Sequence, residues 1–149
     1  MAAAGLGTTA PLEEAGTEPE AYKAVEFLLD LGADIDAIDE NGNTPMHGAA
    51  YGNFPTVVEL LAEHGADSAV WKEKNERGLT PLFIAEGYRG GGFKLSRPTT
   101  EAMTRVMKAE GLSMAGERPA IRDIYEKKPE PQPELLNPAQ AKKPKVSQP

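Results

Sequence analysis

Two stretches of this chain repeat each other at a nearly fixed spacing. The triplet Gly-Ala-Asp occurs at residues 32–34 and again 33 residues later at 65–67. A Thr-Pro pair follows each triplet, at Thr44-Pro45 and Thr80-Pro81, and the two pairs lie 36 residues apart. A period near 33 residues predicts a solenoid, in which each unit packs mainly on its neighbours. Such folds are mostly binding surfaces and seldom catalysts.

The unit between the two triplets carries the most complete motif. It reads Asn-Thr-Pro-Met-His-Gly-Ala-Ala at 43–50, continues as Val-Val-Glu-Leu-Leu at 57–61 and closes on Gly-Ala-Asp. This pattern resembles the ankyrin repeat, a turn followed by two helices. The resemblance implies an all-α solenoid of helix-turn-helix units with β-hairpin or turn fingers. It also implies a protein-binding scaffold or adaptor that is not an enzyme.

Several residues of the motif have predicted structural roles. Thr44 is expected to cap a helix, and Pro45 suits the first helical position, where its missing N–H costs nothing. Gly65 is the expected left-handed stop of the second helix. Thr80 and Pro81 repeat the cap in the next unit. The resemblance implies that the imidazole of His47 bridges neighbouring turns by hydrogen bonds.

The same frame fits both neighbouring units and divides the chain into four segments. The predicted segments are a partial first repeat at 1–34 with an inter-helix loop at about 7–20, a repeat at 35–67, a repeat at 68–111 with an insertion at about 87–98, and a tail at 112–149. Seven prolines lie in that last segment, so we predict a mostly disordered Pro- and Lys-rich tail. Within it, a helical turn at 120–127 would pack on the last repeat as a cap.

The last repeat departs from the motif at two positions. Phe83 stands where the pattern has histidine, and Glu86 replaces a small residue. Both departures fit a terminal unit with one solvated flank. The second helix of this unit is predicted at about 99–110, with Met103, Val106 and Met107 facing inward.

The first repeat lacks its own finger and cap, which supports an alternative function. The long inter-helix loops and the sequences His-Gly-Ala-Ala-Tyr at 47–51 and Pro-Leu-Phe-Ile-Ala-Glu-Gly at 81–87 also resemble ankyrin segments at the ends of larger bacterial proteins. The chain would then be a C-terminal structural fragment with no binding activity of its own. An uncapped edge would also favour self-association through exposed apolar residues. The predicted edge comprises Met1, Ala2, Ala3, Ala24, Val25 and Leu28.

The resemblance also implies where another protein would bind, since finger tips and first helices form the recognition face of such arrays. The corresponding residues are Ile38, Glu40, Asn41, Asn43, Tyr51, Trp71, Lys72, Glu73, Arg77 and Leu79. Trp71 is the only tryptophan, and its finger is three residues longer than the preceding one, 15 against 12 from glycine to threonine. Tyr, Trp and Arg dominate interface energetics. Alternatively, Trp71 folds onto its own hairpin as local core.

Catalytic, metal and cofactor chemistry find little support in the residues. The chain has no cysteine and two histidines, and His64 falls in the last turn of a helix. The acidic run at 34–43 fails the calcium-loop pattern, because Ile38 and Asp39 occupy positions that need a ligand and glycine. Gly90-Gly91-Gly92 has neither a preceding strand nor a following Gly-Lys-Ser/Thr. No cofactor or metal is expected.

Charge and hydropathy limit the partners further. The formal net charge is −7, with −9 on residues 1–111 and +2 on residues 112–149. An acidic body argues against nucleic acid and anionic membrane surfaces as partners. No apolar run is long enough for a membrane span. The start carries no convincing signal peptide, so the cytoplasm is the default expectation, with export only if the chain comes from a longer precursor.

Overall fold

A computed structural model describes residues 2–6, 16–89, 92–93 and 95–119. The helices are α1 (Glu18–Asp30), α2 (Pro45–Gly52), α3 (Pro55–Glu63), α4 (Pro81–Ala85) and α5 (Arg97–Ala109), with 3-10 helices at Ala2–Ala4 and Ser68–Lys72 and strands β1 (Tyr88–Arg89) and β2 (Gly92–Phe93). The predicted capping turn at 120–127 and the rest of the tail to 149 lie outside the described residues.

The helices stack in two rows. The 3-10 helix Ala2–Ala4, α2 and α4 pack in sequence to form the first-helix row, and α1, α3 and α5 form the second-helix row. Within a repeat, α2 packs on α3 and α4 packs on α5. The predicted all-α solenoid is therefore confirmed.

Local chemistry explains where the middle helices begin and end. The side chain of Thr44 accepts a hydrogen bond from His47 N at 3.4 Å, and Pro45 occupies the first position of α2. Asn53 ends α2 in the left-handed conformation, with φ of 59°, which asparagine tolerates better than most residues. After α3, Gly65 adopts φ of +81°. Each boundary therefore has a short-range cause.

Small residues bring the first two members of the first-helix row into close contact. A Cβ on Gly48 would lie 3.1 Å from Ala4 O. Gly5 has φ of +112°, and a Cβ there would lie 2.5 Å from Gly48 O. A larger residue at either position would push the Ala2–Ala4 helix away from α2.

The core lies between the two rows and is made mainly of aliphatic and sulfur-containing side chains. Its fully buried members include Met46, Ala49, Ala50, Val57, Val58, Leu60, Leu61, Ile84, Ala85, Ala102 and Met103. Trp71 and Met107 extend this cluster to the end of the stack. Burying these apolar surfaces stabilises the array through the contacts between successive units.

The described residues refine three boundaries. α1 already begins at Glu18, inside the predicted loop, because the backbone N and Oγ1 of Thr17 both donate to Glu20 Oε2. The predicted insertion contains β1 and β2, which pair antiparallel, and α5 starts at Arg97. These are the only strands among the described residues, so the fingers are hydrogen-bonded turns.

Segment 112–119 also departs from the expected disordered tail. It has no regular secondary structure, yet Leu112 and Met114 pack against the core. The periodic pattern ends at Gly111, but Leu112 and Met114 continue the packing beyond it.

Candidate partner-binding surface

The first finger, residues 34–43, is held by the carboxylate of Asp39. Its Oδ1 accepts hydrogen bonds from Asn41 N at 2.9 Å and Asn43 N at 2.7 Å. The backbone N of Asp39 donates to Asn43 O at 2.9 Å. Gly42 supplies the left-handed turn with φ of +73°. This finger is therefore a closed turn with a defined shape.

The second finger, residues 67–79, uses an amide at the equivalent position. Asn75 Oδ1 accepts from Arg77 N and Leu79 N, both at 3.0 Å. The backbone N of Asn75 donates to Leu79 O, also at 3.0 Å. The extra residues of this finger form the 3-10 helix Ser68–Lys72, which Asp67 caps through Ala69 N at 2.8 Å.

Asn43 joins the two fingers. Its hydrogen bonds explain why the first finger has an acid, Asp39, where the second has an amide, Asn75. Its Nδ2 donates to Asp39 Oδ2 at 3.0 Å, and its Oδ1 accepts from Asn75 Nδ2 at 2.8 Å. The first partner must therefore accept and the second must donate. A backbone bond from Glu76 N to Asn41 O at 2.9 Å completes the connection.

His47 forms a second bridge between the same two units. Thr44 N donates to His47 Nδ1 at 3.1 Å, so Nδ1 is the acceptor and Nε2 carries the proton. Nε2 then lies 3.2 Å from Leu79 O, to which it donates. The imidazole is fully buried. This geometry matches the bridging role that the family resemblance implies.

Burial and hydrogen bonding shift two pKa values in this region. Burial lowers the pKa of His47, and this outweighs its bond to Leu79 and the charge of Asp39. Burial alone would raise the pKa of Asp39, but bonds from Asn43 and Asn41 outweigh it and lower the pKa. Near neutral pH, His47 is therefore neutral and Asp39 is ionised.

Most of the predicted partner-binding residues lie on the surface. The exposed ones are Ile38, Glu40, Asn41, Lys72, Glu73 and Arg77. Ile38 is a large apolar side chain that is 65% exposed. Tyr51, on α2, is half-buried and packs against the core. The fingers therefore present one apolar side chain among charged and polar ones.

Three residues predicted for this surface are buried. Trp71 is 1% exposed, and Asn43 and Leu79 are also buried. Asn43 links the turns, and Leu79 supplies a core side chain and the carbonyl for His47. The 3-10 helix turns Trp71 into the core cluster. The prediction of these three as surface contacts was therefore wrong, and the alternative of Trp71 as core describes its position.

The two fingers differ in charge. The first contains Asp34, Asp36, Asp39 and Glu40 and no basic residue. The second carries three basic residues, Lys72, Lys74 and Arg77, beside three acidic ones, Asp67, Glu73 and Glu76, all of them exposed. A partner that spans both fingers would therefore meet only acidic side chains on the first finger and side chains of both charges on the second.

Sequence reasoning missed a contact at the end of the stack. Arg118 Nε and Nη2 donate to the two oxygens of Glu86 at 3.0 and 2.6 Å. The guanidinium lies 5.2 Å from the ring centroid of Phe83. Its Nη1 also donates to Met114 O and Gly116 O, both at 3.0 Å. The signal was present, since Phe83 and Glu86 are the two departures from the repeat motif.

The described ranges lack two other kinds of functional feature. These residues contain no group of three or more His, Asp or Glu side chains arranged to hold a metal ion. No helix in the same ranges is long and apolar enough to cross a membrane.

Comparison with known proteins identifies the family. A family model described as ankyrin repeats (three copies) matches residues 14–91, just over half of the chain. The chain therefore belongs to the ankyrin repeat family, as its motifs predict.

Similar proteins share parts of this array. The human ankyrin repeat and SOCS box protein 6 is 33% identical over 92 residues, covering 58% of this chain and 22% of that protein. Rat protein fem-1 homolog A is 48% identical over 44 residues, covering 30% and 7%. The mouse RelA-associated inhibitor is 34% identical over 70 residues, covering 47% and 8%. The chain thus spans about a fifth or less of each relative. All three are mammalian, so they give the expected bacterial source no support.

Proposed function

We propose that this ankyrin array binds another protein through the exposed side chains of its two fingers. Ankyrin repeats generally mediate protein–protein interaction. The proposed contact residues are Ile38, Glu40, Asn41, Lys72, Glu73 and Arg77, with Tyr51 at the edge of the surface. No enzymatic activity is proposed.

The observation that carries the proposal is the rigid connection between the fingers. Asn43 and Asn75 share a buried hydrogen bond of 2.8 Å, and Glu76 N binds Asn41 O at 2.9 Å. Surfaces that are ordered before binding lose less conformational entropy when a partner docks. The side chains beside these links therefore form a prearranged surface.

The side chains suggest what such a partner would present. Ile38 offers an apolar contact, and Arg77 on the second finger offers a planar cation of the type enriched at interface centres. The acidic first finger favours basic groups of the partner, whereas the basic residues of the second finger favour acidic ones.

Site-specific cross-linking tests the proposal. A photoreactive benzoylphenylalanine replaces Ile38 or Arg77 in the full chain, which is then expressed in cells and irradiated. Adducts with another protein are expected from both positions. The matched control places the same group at Glu101, an exposed residue of α5. Equal adducts at Glu101, or none at the fingers, would contradict finger-mediated binding.

One observation favours the alternative of a structural stack within a larger polypeptide. Phe27 and Leu28 on α1 are 62% and 40% exposed, and Leu31, which follows the helix directly, is 68% exposed. Val25, predicted for the same edge, is instead buried. If this edge packs against another protein surface, the isolated chain should self-associate and sediment in a concentration-dependent way. The double variant Leu28→Glu with Leu31→Glu should abolish that dependence. Finger-mediated binding predicts that this double variant retains the cross-links at position 38.

A further inference from the structure

A groove lies at the end of the stack, where Trp71 meets the segment after α5. It has a volume of about 190 Å³. Its walls come from the second finger, α4, α5 and residues 113–117. We call it the Trp71 groove; its apolar walls are Trp71, Leu82, Phe83, Met107 and Met114.

Trp71, which lines the groove, carries a hydrogen-bond donor that the protein leaves unused. Trp71 is 1% exposed, and its Nε1 is buried with no hydrogen-bond partner in the part of the chain that the structure describes. Buried polar groups are nearly always paired, because an unpaired one has lost its bond to water without replacement. A ligand that brings an acceptor oxygen to this N–H would recover that loss.

The charges around the groove differ from those of the chain as a whole. Lys72 and Lys74 line it, against a single carboxylate from Glu117. Both lysines are exposed. The surrounding body is strongly acidic, so this local positive balance selects an anionic ligand over a cationic one.

The size of the groove limits the ligand to a small apolar group. Pockets for drug-sized molecules have roughly 300–1,000 Å³, which is more than this groove offers. A volume of about 190 Å³ has room for one aliphatic side chain with its adjoining backbone carbonyl. Acidic residues on both sides of that side chain would then meet the two lysines.

We propose that the Trp71 groove binds a short acidic peptide segment of a partner, with one large aliphatic side chain inserted between Phe83 and Met107. An oxygen of the peptide accepts the hydrogen bond from Trp71 Nε1. The site lies at the end of the stack and does not depend on the finger surface, although Lys72 borders both.

The single tryptophan makes the site directly observable. Trp71 is the only tryptophan in the chain, so the ¹⁵N-labelled protein gives one indole N–H cross-peak. The probe is an acetylated, amidated pentapeptide of alternating glutamate and leucine. Titration should move this cross-peak downfield and to saturation, because the N–H gains an acceptor.

Charge reversal distinguishes this site from adventitious binding. Lys74→Glu should weaken the peptide's affinity about tenfold, because like charges oppose each other in the bound complex. The matched control Lys23→Glu makes the same change on α1 and should leave the affinity unchanged. A pentapeptide of alternating lysine and leucine should not bind.

Three results would overturn the proposal: an indole cross-peak that stays fixed at millimolar peptide, equal binding of the lysine peptide, or full affinity in Lys74→Glu. Lys74 is not among the proposed finger contacts, so the two proposals fail separately. For example, Ile38→Asp can lose the cross-links from position 77 and still bind the peptide. That result would show that the groove binds its ligand without the finger contacts.

Discussion

The middle and last repeats share one frame but meet different neighbours. In the middle repeat, His47 donates to Leu79 O of the following finger at 3.2 Å. The equivalent residue of the last repeat, Phe83, packs edge-on against Tyr88 at 6.2 Å and lies under the guanidinium of Arg118. An imidazole suits a neighbour that offers a backbone carbonyl, whereas a phenyl ring suits a cation.

A second position teaches the same lesson. Ala50 in the middle repeat is fully buried, whereas its counterpart Glu86 is part-exposed and paired with Arg118. The motif residue at each position therefore depends on what packs next to it. Segment 112–119 takes the place at the end of the stack that a following finger takes after the middle repeat.

Exchanging the two aromatic residues should have the largest effect. His47→Phe removes the bridge to Leu79 O, leaves Thr44 N and that carbonyl unpaired in the core, and should cost about 3 kcal/mol of unfolding free energy. Phe83→His, the reciprocal change, should cost only about 1 kcal/mol, since the ring lies at the end of the stack. Urea titration followed by circular dichroism measures both, and equal losses would contradict the comparison.

Exchanging acid and amide at Asn75 and Asp39 should have the next largest effect on the free energy of unfolding. Asn75→Asp replaces the donor to Asn43 Oδ1 with an acceptor and should cost about 2 kcal/mol, because two oxygens then face each other in a buried contact. The control Asp39→Asn should cost about 1 kcal/mol. If Asn75→Asp proves neutral in the same titration, the Asn43 link does not order the fingers.

Removing the contacts of Arg118 at the end of the stack should have a smaller effect. Arg118→Met loses the two bonds to Glu86 and the contact with Phe83, and should cost about 1.5 kcal/mol. Arg105→Met is the matched control, because Arg105 pairs with Glu59 at the surface, where its side chain is 60% exposed against 34% for Arg118. The control should stay within about 0.5 kcal/mol. Thermal melts that show equal destabilisation in the two variants would contradict a stabilising role for Arg118 at the end of the stack.

The smallest predicted effect is a pH dependence of the free energy of unfolding, caused by His47 in the middle repeat. The pKa of His47 is lowered by burial, so below the usual value of 6.5 the unfolded chain binds a proton that the folded chain excludes. Stability is thus complete above about pH 6.5 and falls as the pH drops, by at most about 0.8 kcal/mol at pH 6. Asp39 does not contribute here, because its pKa is lowered from 3.8.

Unfolding free energies at pH 7.5 and pH 6 measure this dependence. His47→Phe has no titrating group at this position, so its stability should change less between the two pH values than that of the parent protein. An identical change in both proteins would assign the dependence to other groups.

Much of the fold could be predicted from the sequence because its signals are short-range. The Thr44-Pro45 cap, the glycine stops and the apolar stripe of α3 act within a few residues of each helix end. The exposed finger residues followed from the same frame. The burial of Trp71 could not be predicted in this way, because no motif residue indicates whether a longer finger turns outward or folds onto the core.

The sequence by itself determined the family, the period of the array and the local start and stop of its central helices, since these depend on neighbouring residues. Only the tertiary structure decided how Asn43 meets Asn75, which lies 32 residues away, and how Arg118 reaches Glu86 over the same separation. It also decided which finger residues remain exposed. Such contacts depend on how whole units stack, and that stacking brings distant backbone turns within hydrogen-bond distance.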